Sequence, residues 1–321
     1  MAMLILARDV NPSADLVVAA LGERGVPVFR TDLAEFPQAL TVDARLGRNG
    51  WDGVLATEHR EVRLSEIRSV WYRNPTGFAL AEGMSEMERR HAAAEARAGL
   101  SGVLSSMDVL WVNHPARQSD ALKPRQLHVA RRCGLNVPDS QITNRPEAVR
   151  DFAQGVHGAL AGKTMAASLR VESSRLQMAY TRRIEPAELD DLAGVDVTAH
   201  LFQRFVQPKA FEARVTVVGT RVFAVAIHAR SEAARVDWRA DYDALDYAVV
   251  KPPDEVTAGM LAFVKYFGLA FGAFDFVITP DHEWIMLECN PAGAYGWLEE
   301  ALDLPITSAL ADLLAKGDRL C

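Results

Sequence analysis

Two apolar runs, FDFVI and WIMLECN, are separated by the five residues TPDHE and carry Asp275, Glu288 and Asn290 where a strand interior normally holds Val or Ile. Burying an unpaired carboxylate is costly, so any fold containing this stretch must compensate it. Strand alternation puts Asp275 and Val277 on one face. It puts Trp284, Met286, Glu288 and Asn290 together on a second shared face, with Ile285, Leu287 and Cys289 opposite. If the turn pairs Asp275 with Glu288 or Asn290, three oxygen donors converge on one side of a sheet. Two carboxylates and an amide carbonyl suit Mg²⁺, which keeps waters and takes phosphate oxygens as further ligands. The plain alternative is one salt-bridged aspartate and one exposed glutamate on an edge strand. The abrupt Pro291-Ala292-Gly293 that follows favours a site at a sheet edge.

The rest of the chain bounds what such a site can serve. With 321 residues, 49% hydrophobic and 24% charged, it has room for two or three subdomains and a sizeable core. A net charge of −7 gives no general reason to expect nucleic acid or an anionic membrane as partner. The three cysteines are widely spaced without a CxxC, and none of the eight histidines pairs at zinc-type spacing. Reduced thiols in a cytoplasmic protein are the expectation. The opening apolar run is too short for a signal sequence, and LAFVKYFGLAFGAFDFVI is interrupted by Lys265 and Asp275, which argues against a membrane span.

Along the chain, a strand at Met3–Ala7, a helix at Ala14–Arg24 and a strand at Val26–Arg30 predict an α/β opening. A strand at Ser69–Pro75, a helix at Ser85–Leu104 and a strand at Asp108–Asn113 follow. The polar patch ARQSDALKP marks a boundary near residue 115. Beyond it come a helix at Lys123–Cys133 capped by Gly134, a helix at Pro146–Gln154 and a strand at Leu160–Ala167 carrying Lys163. The run FEARVTVVGTRVFAVAIHAR predicts a hairpin turning at Gly219–Thr220. Helices at Glu255–Phe267 and Pro305–Ala315 complete the pattern.

In this order the residues resemble the ATP-grasp superfamily, whose D…ExN metal element matches Asp275, Glu288 and Asn290. Lys123, in DALKPRQLHVARRCGLNVP, matches the superfamily's first lysine and Lys163, in ALAGKTMAA, its second. The resemblance implies an α/β (α+β ATP-grasp) fold of three parts. These are an N-terminal pre-ATP-grasp domain over residues 1–115, a central lid subdomain over 116–202, and a C-terminal subdomain over 203–321 that carries the metal site. It further implies ATP and two Mg²⁺ as cofactors, an adenine hinge at Gln203, Arg204, Phe205 and Val206, and nucleotide contacts from Glu212 and Arg214. At its position Arg214 reaches a transferred phosphoryl group. Phe202 and Phe205 are either ring-stacking residues or core, and Glu212 and Arg214 could instead bridge each other. The stretch TMAASLRVESSRLQMAYTRRI, which in many members is a glycine-rich phosphate cover, has no glycine. The expectation is a mobile cover using hydroxyls and Arg170 or Arg175.

Nearly the whole chain further resembles the graspetide synthetases, the microviridin-type peptide maturases, through WYRNP, NHP, KPRQL, ARRCGLNVP, ITN, AYT, FEARVTVVG and DWR. Such enzymes activate an Asp or Glu side chain of a ribosomal precursor peptide as an acyl phosphate. A Ser, Thr or Lys side chain of the same peptide then closes an ω-ester or ω-amide ring. The implied partner is a precursor with a leader and an acidic, hydroxyl-rich core, and Arg214, Lys163 and Arg239 are the implied catalytic groups; a homodimer is expected only as the commonest assembly. From Arg204 to Arg239 seven basic residues face three acids, a candidate channel for core carboxylates or merely a solvated strand pair. Arg73 is a second candidate, for peptide contact or domain packing. The rival readings are an ATP-grasp amino-acid ligase acting on a small-molecule or protein carboxylate, and a non-catalytic nucleotide-binding protein.

Overall fold

The computed structural model describes residues 1–318 apart from 49, 157, 166–168, 173–174 and 179–180, with backbone alone for 169–172 and 175–178. The chain opens on a parallel sheet in the order Val28–Thr31, Ala2–Ala7, Ile67–Arg73, Leu110–Val112. Ala2–Ala7 is buried along its whole length, as expected for a central parallel strand covered on both faces. An antiparallel three-stranded sheet, Thr41–Gly47, Gly50–Ala56 and Glu61–Arg63, sits between the second and third of these strands in sequence; it had no counterpart among the expected elements.

The helix expected at Ser85–Leu104 forms from Glu86, capped by Ser85, with a turn of wider winding at Arg97–Ser101. The polar patch after Asn113 folds as a short helix, Pro115–Asp120, whose first turn is capped by the His114 ring. Lys123 then opens the helix Lys123–Arg132.

A second antiparallel sheet follows, in the order Arg182–Ile184, Leu160–Lys163, His200–Arg204, Ser140–Thr143. Within the glycine-free stretch the backbone of Leu169–Glu172 pairs with Arg175–Met178. The side chains of Arg170 and Arg175, and the role expected of them, lie outside the described residues. The largest sheet has five antiparallel strands, Leu245–Val249, Arg221–Ala229, Phe211–Val218, Phe271–Ile278 and Trp284–Asn290. Its hairpins turn at Gly219–Thr220 and at Thr279–Glu283, where the sequence places them.

Two cores fix how these layers meet. Helix Asp254–Phe267 packs Met260, Phe263 and Phe267 under Phe274, Phe276 and Met286 of the large sheet. The final helix, Ile306–Lys316, packs Leu310 and Leu314 with Met3, Ile5 and Trp71 of the parallel sheet and with Phe271. The far end of the large sheet is thereby tied to the N-terminal sheet.

Buried amides complete the join. Asn113, 1% exposed, donates to the carbonyls of Phe271 and Pro291 at 2.7 Å each and accepts from the N–H groups of Ala270 (2.6 Å) and Phe271 (3.1 Å). All of its amide capacity in that setting is spent on the two ends of the metal-element strands.

Candidate nucleotide and metal site

The two strands of the opening feature pair Asp275 with Glu288, and Arg214 lies opposite Asp275 on the other side. The register slips by one residue between Asp275 and Phe276, so Phe276 faces Met286 and Leu287 is the extra residue of a β-bulge. The bulge overturns the simple alternation expected for this strand. Trp284 and Met286 enter the core with Phe274 and Phe276, whereas Ile285 and Leu287 pack with Val206 and Val277. Leu287, Glu288 and Asn290 consequently line one cavity together with Asp275. After Asn290 the chain turns tightly against the sheet. A side chain at Gly293 would come within 2.5 Å of Ala273 Cβ, so glycine permits that approach.

The cavity, about 330 Å³, is lined by six cationic side chains (Lys123, Lys163, Arg204, Lys209, Arg214, Arg239) and four acidic ones (Glu212, Asp237, Asp275, Glu288). Lys123 Nζ donates to the Thr164 carbonyl at 2.7 Å and stands 3.0 Å from Glu288 Oε2. Arg239 Nη2 lies 2.5 Å from Asp275 Oδ2 and 3.5 Å from Glu288 Oε1, while its Nη1 is 3.3 Å from Asp237 Oδ1. Arg214 is buried, with Nη1 3.0 Å from Asp275 Oδ1. Lys209 pairs with Glu212, so Glu212 and Arg214 do not bridge each other.

These charges shape one another. Burial alone would raise the Glu288 carboxyl, but Lys123, Lys163 and Arg239 outweigh it and hold the group at about 2. Burial pulls the Lys163 ammonium below the usual lysine range; Glu288 opposes that shift and Lys123 adds to it. Burial also opposes charge on Arg239, yet Asp275, Asp237 and Glu288 together keep it firmly protonated. Burial raises the Glu212 carboxyl despite Lys209.

At the other end of the cavity Gln203, Arg204, Phe205 and Val206 leave the strand His200–Arg204 and cross to the large sheet. Gln203 donates to Ser140 Oγ at 2.9 Å, while its own carbonyl oxygen is buried without a partner. Phe205 lines the cavity beneath the Arg183 guanidinium. Phe202 points instead into the core formed with Val149, Leu160 and Ile184. Of the two aromatic candidates, only Phe205 is placed to meet a ring.

Three residues that position the site stand inside the motifs KPRQL and DWR, which by themselves assign none of them a role. Gln126 donates to the carbonyls of Ala121 (2.7 Å) and Cys289 (2.9 Å) and accepts from Cys289 N–H at 2.8 Å, pinning the residue between Glu288 and Asn290. Trp238 lies under both guanidiniums, 4.4 Å from Arg239 and 5.4 Å from Arg214, and is itself stacked on Trp297. Asp237 accepts from the N–H of Thr181 and Arg239 at 3.1 Å each, joining the second sheet to the DWR turn. A tryptophan next to an arginine and an acid two residues before that arginine were the available signals.

The basic window, by contrast, is not one channel. Arg221 pairs with Asp312 and Arg230 with Asp246, both away from the cavity. Arg73 is buried against the carbonyls of Ala292 and Gly293, which answers the packing half of its alternative.

The residues fit Mg²⁺ with a polyphosphate. Asp275 Oδ1 and Arg214 Nε and Nη1 are buried without a hydrogen bond, since the 3.0 Å ion pair between them is not aligned as one. Among the described residues no group of three or more His, Cys, Asp or Glu gathers to cage a metal. Asp275, Glu288 and the Asn290 amide would offer Mg²⁺ hard oxygen donors, and water and phosphate oxygens would supply the rest.

Residues 2–119 match the MvdD pre-ATP-grasp domain. Over 98% of this chain and 99% of the other, the chain is 30% identical to the macrocyclase MdnC of Microcystis aeruginosa, solved with the precursor peptide MdnA, at a TM-score of 0.85. The chain belongs to the graspetide synthetases. This graspetide synthetase is therefore an ATP-grasp ligase. A RiPP-associated ATP-grasp ligase of Chryseobacterium gregarium, solved with ADP and leader and core peptides, is 25% identical over the whole of both chains at a TM-score of 0.90. The macrocyclase MdnB is 28% identical over 98% of this chain and 99% of its own, at a TM-score of 0.80. No curated protein sequence matches. Among the described residues, no helix of the synthetase is long and apolar enough to cross a membrane.

Proposed function

We propose that the synthetase joins a side-chain carboxylate of a ribosomal precursor peptide to a hydroxyl or amine of the same peptide, using ATP. The observation that carries this reading is the convergence of Asp275, Glu288, Lys123, Lys163, Arg214 and Arg239 on one cavity, with orphan donors and acceptors facing each other inside it. A carboxylate is a poor electrophile, and its conversion to an acyl phosphate supplies the leaving group. The task left to the protein is positioning and charge neutralisation.

In this reading Gln203, Arg204, Phe205 and Val206 hold the adenine, and Lys123 and Lys163 hold the phosphate tail. Asp275, Glu288 and Asn290 hold Mg²⁺, which when bound neutralises charge on the phosphate oxygens. Arg214 faces the transferred phosphoryl group, with Glu212 and Lys209 beside it. Arg239 is the donor that orients the peptide carboxylate, because a guanidinium binds a carboxylate in two-point geometry. Trp238 lies under both guanidiniums and supplies an apolar floor to them.

The finer expectations belong to the same proposal: two Mg²⁺, a leader and an acidic, hydroxyl-rich core, domain boundaries at 115 and 202, a homodimer, and a cytoplasmic setting. The test is mass spectrometry of acidic, hydroxyl-rich precursor peptides after incubation with enzyme, ATP and Mg²⁺. Loss of one water per ring with ADP formed supports the reading. A product heavier by an added amino acid, or nucleotide binding without turnover, overturns it.

A further inference from the structure

A second, separate groove opens where Ala2–Ala7 and Ile67–Arg73 end side by side, at the carboxyl edge of the parallel sheet. Its volume is about 510 Å³, and its lining includes Arg8, Asn11, Ser13, Tyr72, Arg73 and Asn74 but no acidic residue. Helix Pro12–Glu23 begins there. Asn11 caps the Ala14 N–H, whereas the Ser13 N–H, at the second helical position, has no intrahelical acceptor. The helix therefore turns the positive end of its dipole towards the groove.

The decisive residue is Arg73. It is 7% exposed and its guanidinium has no carboxylate within ion-pair distance among the described residues. Among the described residues its only bonds run to the carbonyls of Ala292 and Gly293, and its buried Nε has no partner there. Burial without a counter-charge pulls its pKa below the ordinary arginine value. A buried cation is normally paired, so an uncompensated one beside a groove signals an anion that is to come. Arg8 adds an exposed guanidinium with no ion pair among the described residues, and the nearby Asp15 is already engaged by Arg30.

The groove is also adjacent to the nucleotide cavity. Asn290 and Ala294 line the cavity, while the carbonyls of Ala292 and Gly293 between them are held by Arg73. A thin turn of chain thus separates the two.

We propose that this groove docks a second carboxylate of the acidic peptide, holding the chain while another of its carboxylates lies in the cavity beside it. The inference rests on the proposed function and names a subsite for the same substrate. A peptide held at two acids loses less orientation during reaction than one held at a single acid.

The test uses the full chain saturated with ADP and Mg²⁺, with acetyl-(Glu-Thr)₃-amide as probe, and acetyl-(Gln-Thr)₃-amide and inorganic phosphate as controls. Hydrogen exchange read by mass spectrometry should show protection of residues 8–14 and 72–76 with the glutamate peptide and not with the glutamine peptide. Arg8→Glu, by removing a charge-assisted contact, and Ser13→Glu, by setting a like charge against the probe's carboxylate, should each weaken binding of that probe roughly tenfold. Ser13→Glu places an acid in a helix first turn, where it favours the helix, so folding is not in question. With a peptide that the wild type cyclises, both variants should raise KM by more than they lower kcat. Protection by phosphate without protection by the glutamate peptide, or unchanged peptide binding in both variants, overturns the subsite. Absence of water loss from any peptide would instead overturn the parent reading, since exchange protection does not depend on turnover.

Discussion

Arg239 Nη2 lies 2.5 Å from Asp275 Oδ2, and the same nitrogen is 3.5 Å from Glu288 Oε1. The guanidinium thus stands between the two carboxylates assigned to Mg²⁺. It serves as an internal counter-ion that keeps two acids together in a cavity before any ligand arrives.

A divalent cation must then compete with this arginine. Arg239→Gln should raise the affinity of the nucleotide-free protein for Mn²⁺ by roughly tenfold, about 1.4 kcal/mol. Titration followed by the electron paramagnetic resonance of free Mn²⁺ reads this directly. Equal or weaker binding in the variant would show that the arginine does not occupy the metal's place. Peptide cyclisation should fall in the same variant despite the tighter metal, because the carboxylate loses its donor.

Glu288→Gln makes the complementary change. It leaves Lys123, Lys163 and Arg239 facing one another without their shared acid. Mn²⁺ binding should be lost and kcat should drop by at least about a hundredfold, within the range for removal of a major electrostatic contact. The pH dependence has a definite sign. The Glu288 carboxyl is depressed from its ordinary 4.5 to about 2, so its contribution to stability is present above 4.5 and is lost as pH falls through about 2. The difference in denaturation midpoint between wild type and Glu288→Gln should shrink across that window and be constant above it.

Lys163 gives the opposite limb. Burial lowers its ammonium below the usual lysine range, and a bound phosphate would favour the charged form. Nucleotide affinity should therefore decline as pH rises through the lowered value, before an ordinary lysine would begin to titrate. In the unliganded protein the unfolded chain binds the extra proton in that interval, so stability rises with pH there. Lys163→Arg keeps its charge throughout and should flatten the alkaline decline of affinity measured by calorimetry. A decline of the same shape in both proteins would assign it to another group.

The three oxygen donors were legible because polar residues in apolar strand runs violate the period-2 pattern, and the violation itself points to a ligand. The order of Lys123, Lys163, Arg214 and the three donors was also visible, as were the strands that carry them. The bulge at Leu287 was not. Register depends on how the partner strand seats its own core residues, here Phe274 and Phe276, and alternation within one strand carries no record of that. The sheet formed by residues 41–63 was missed because its strands expose much of their surface and lack a continuous apolar face. What Asn113 of NHP and Gln126 of KPRQL do in the fold escaped for a different reason. A buried amide reads like any polar residue until the backbone groups it satisfies, 158 and 163 residues away, are known.

Gln126 yields the last prediction, since it separates geometry from charge. Its amide joins helix Lys123–Arg132 to Cys289, so the helix that starts with Lys123 and the strand that carries Glu288 and Asn290 are held in register by one side chain. Gln126→Leu leaves the N–H and C=O of Cys289 and the C=O of Ala121 buried without partners. A cost of about 3 kcal/mol is expected from three such losses, partly relieved by relaxation. Gln126→Glu should cost at least as much, because it buries a carboxylate against the carbonyls of Ala121 and Cys289, although it still accepts from Cys289 N–H. If Gln126 positions the metal ligands, both variants should weaken Mn²⁺ binding even when assayed well below their unfolding midpoints. Destabilisation with metal affinity unchanged would reduce Gln126 to a core residue, and the alignment of Glu288 with Lys123 would then rest on the 3.0 Å ion pair between them.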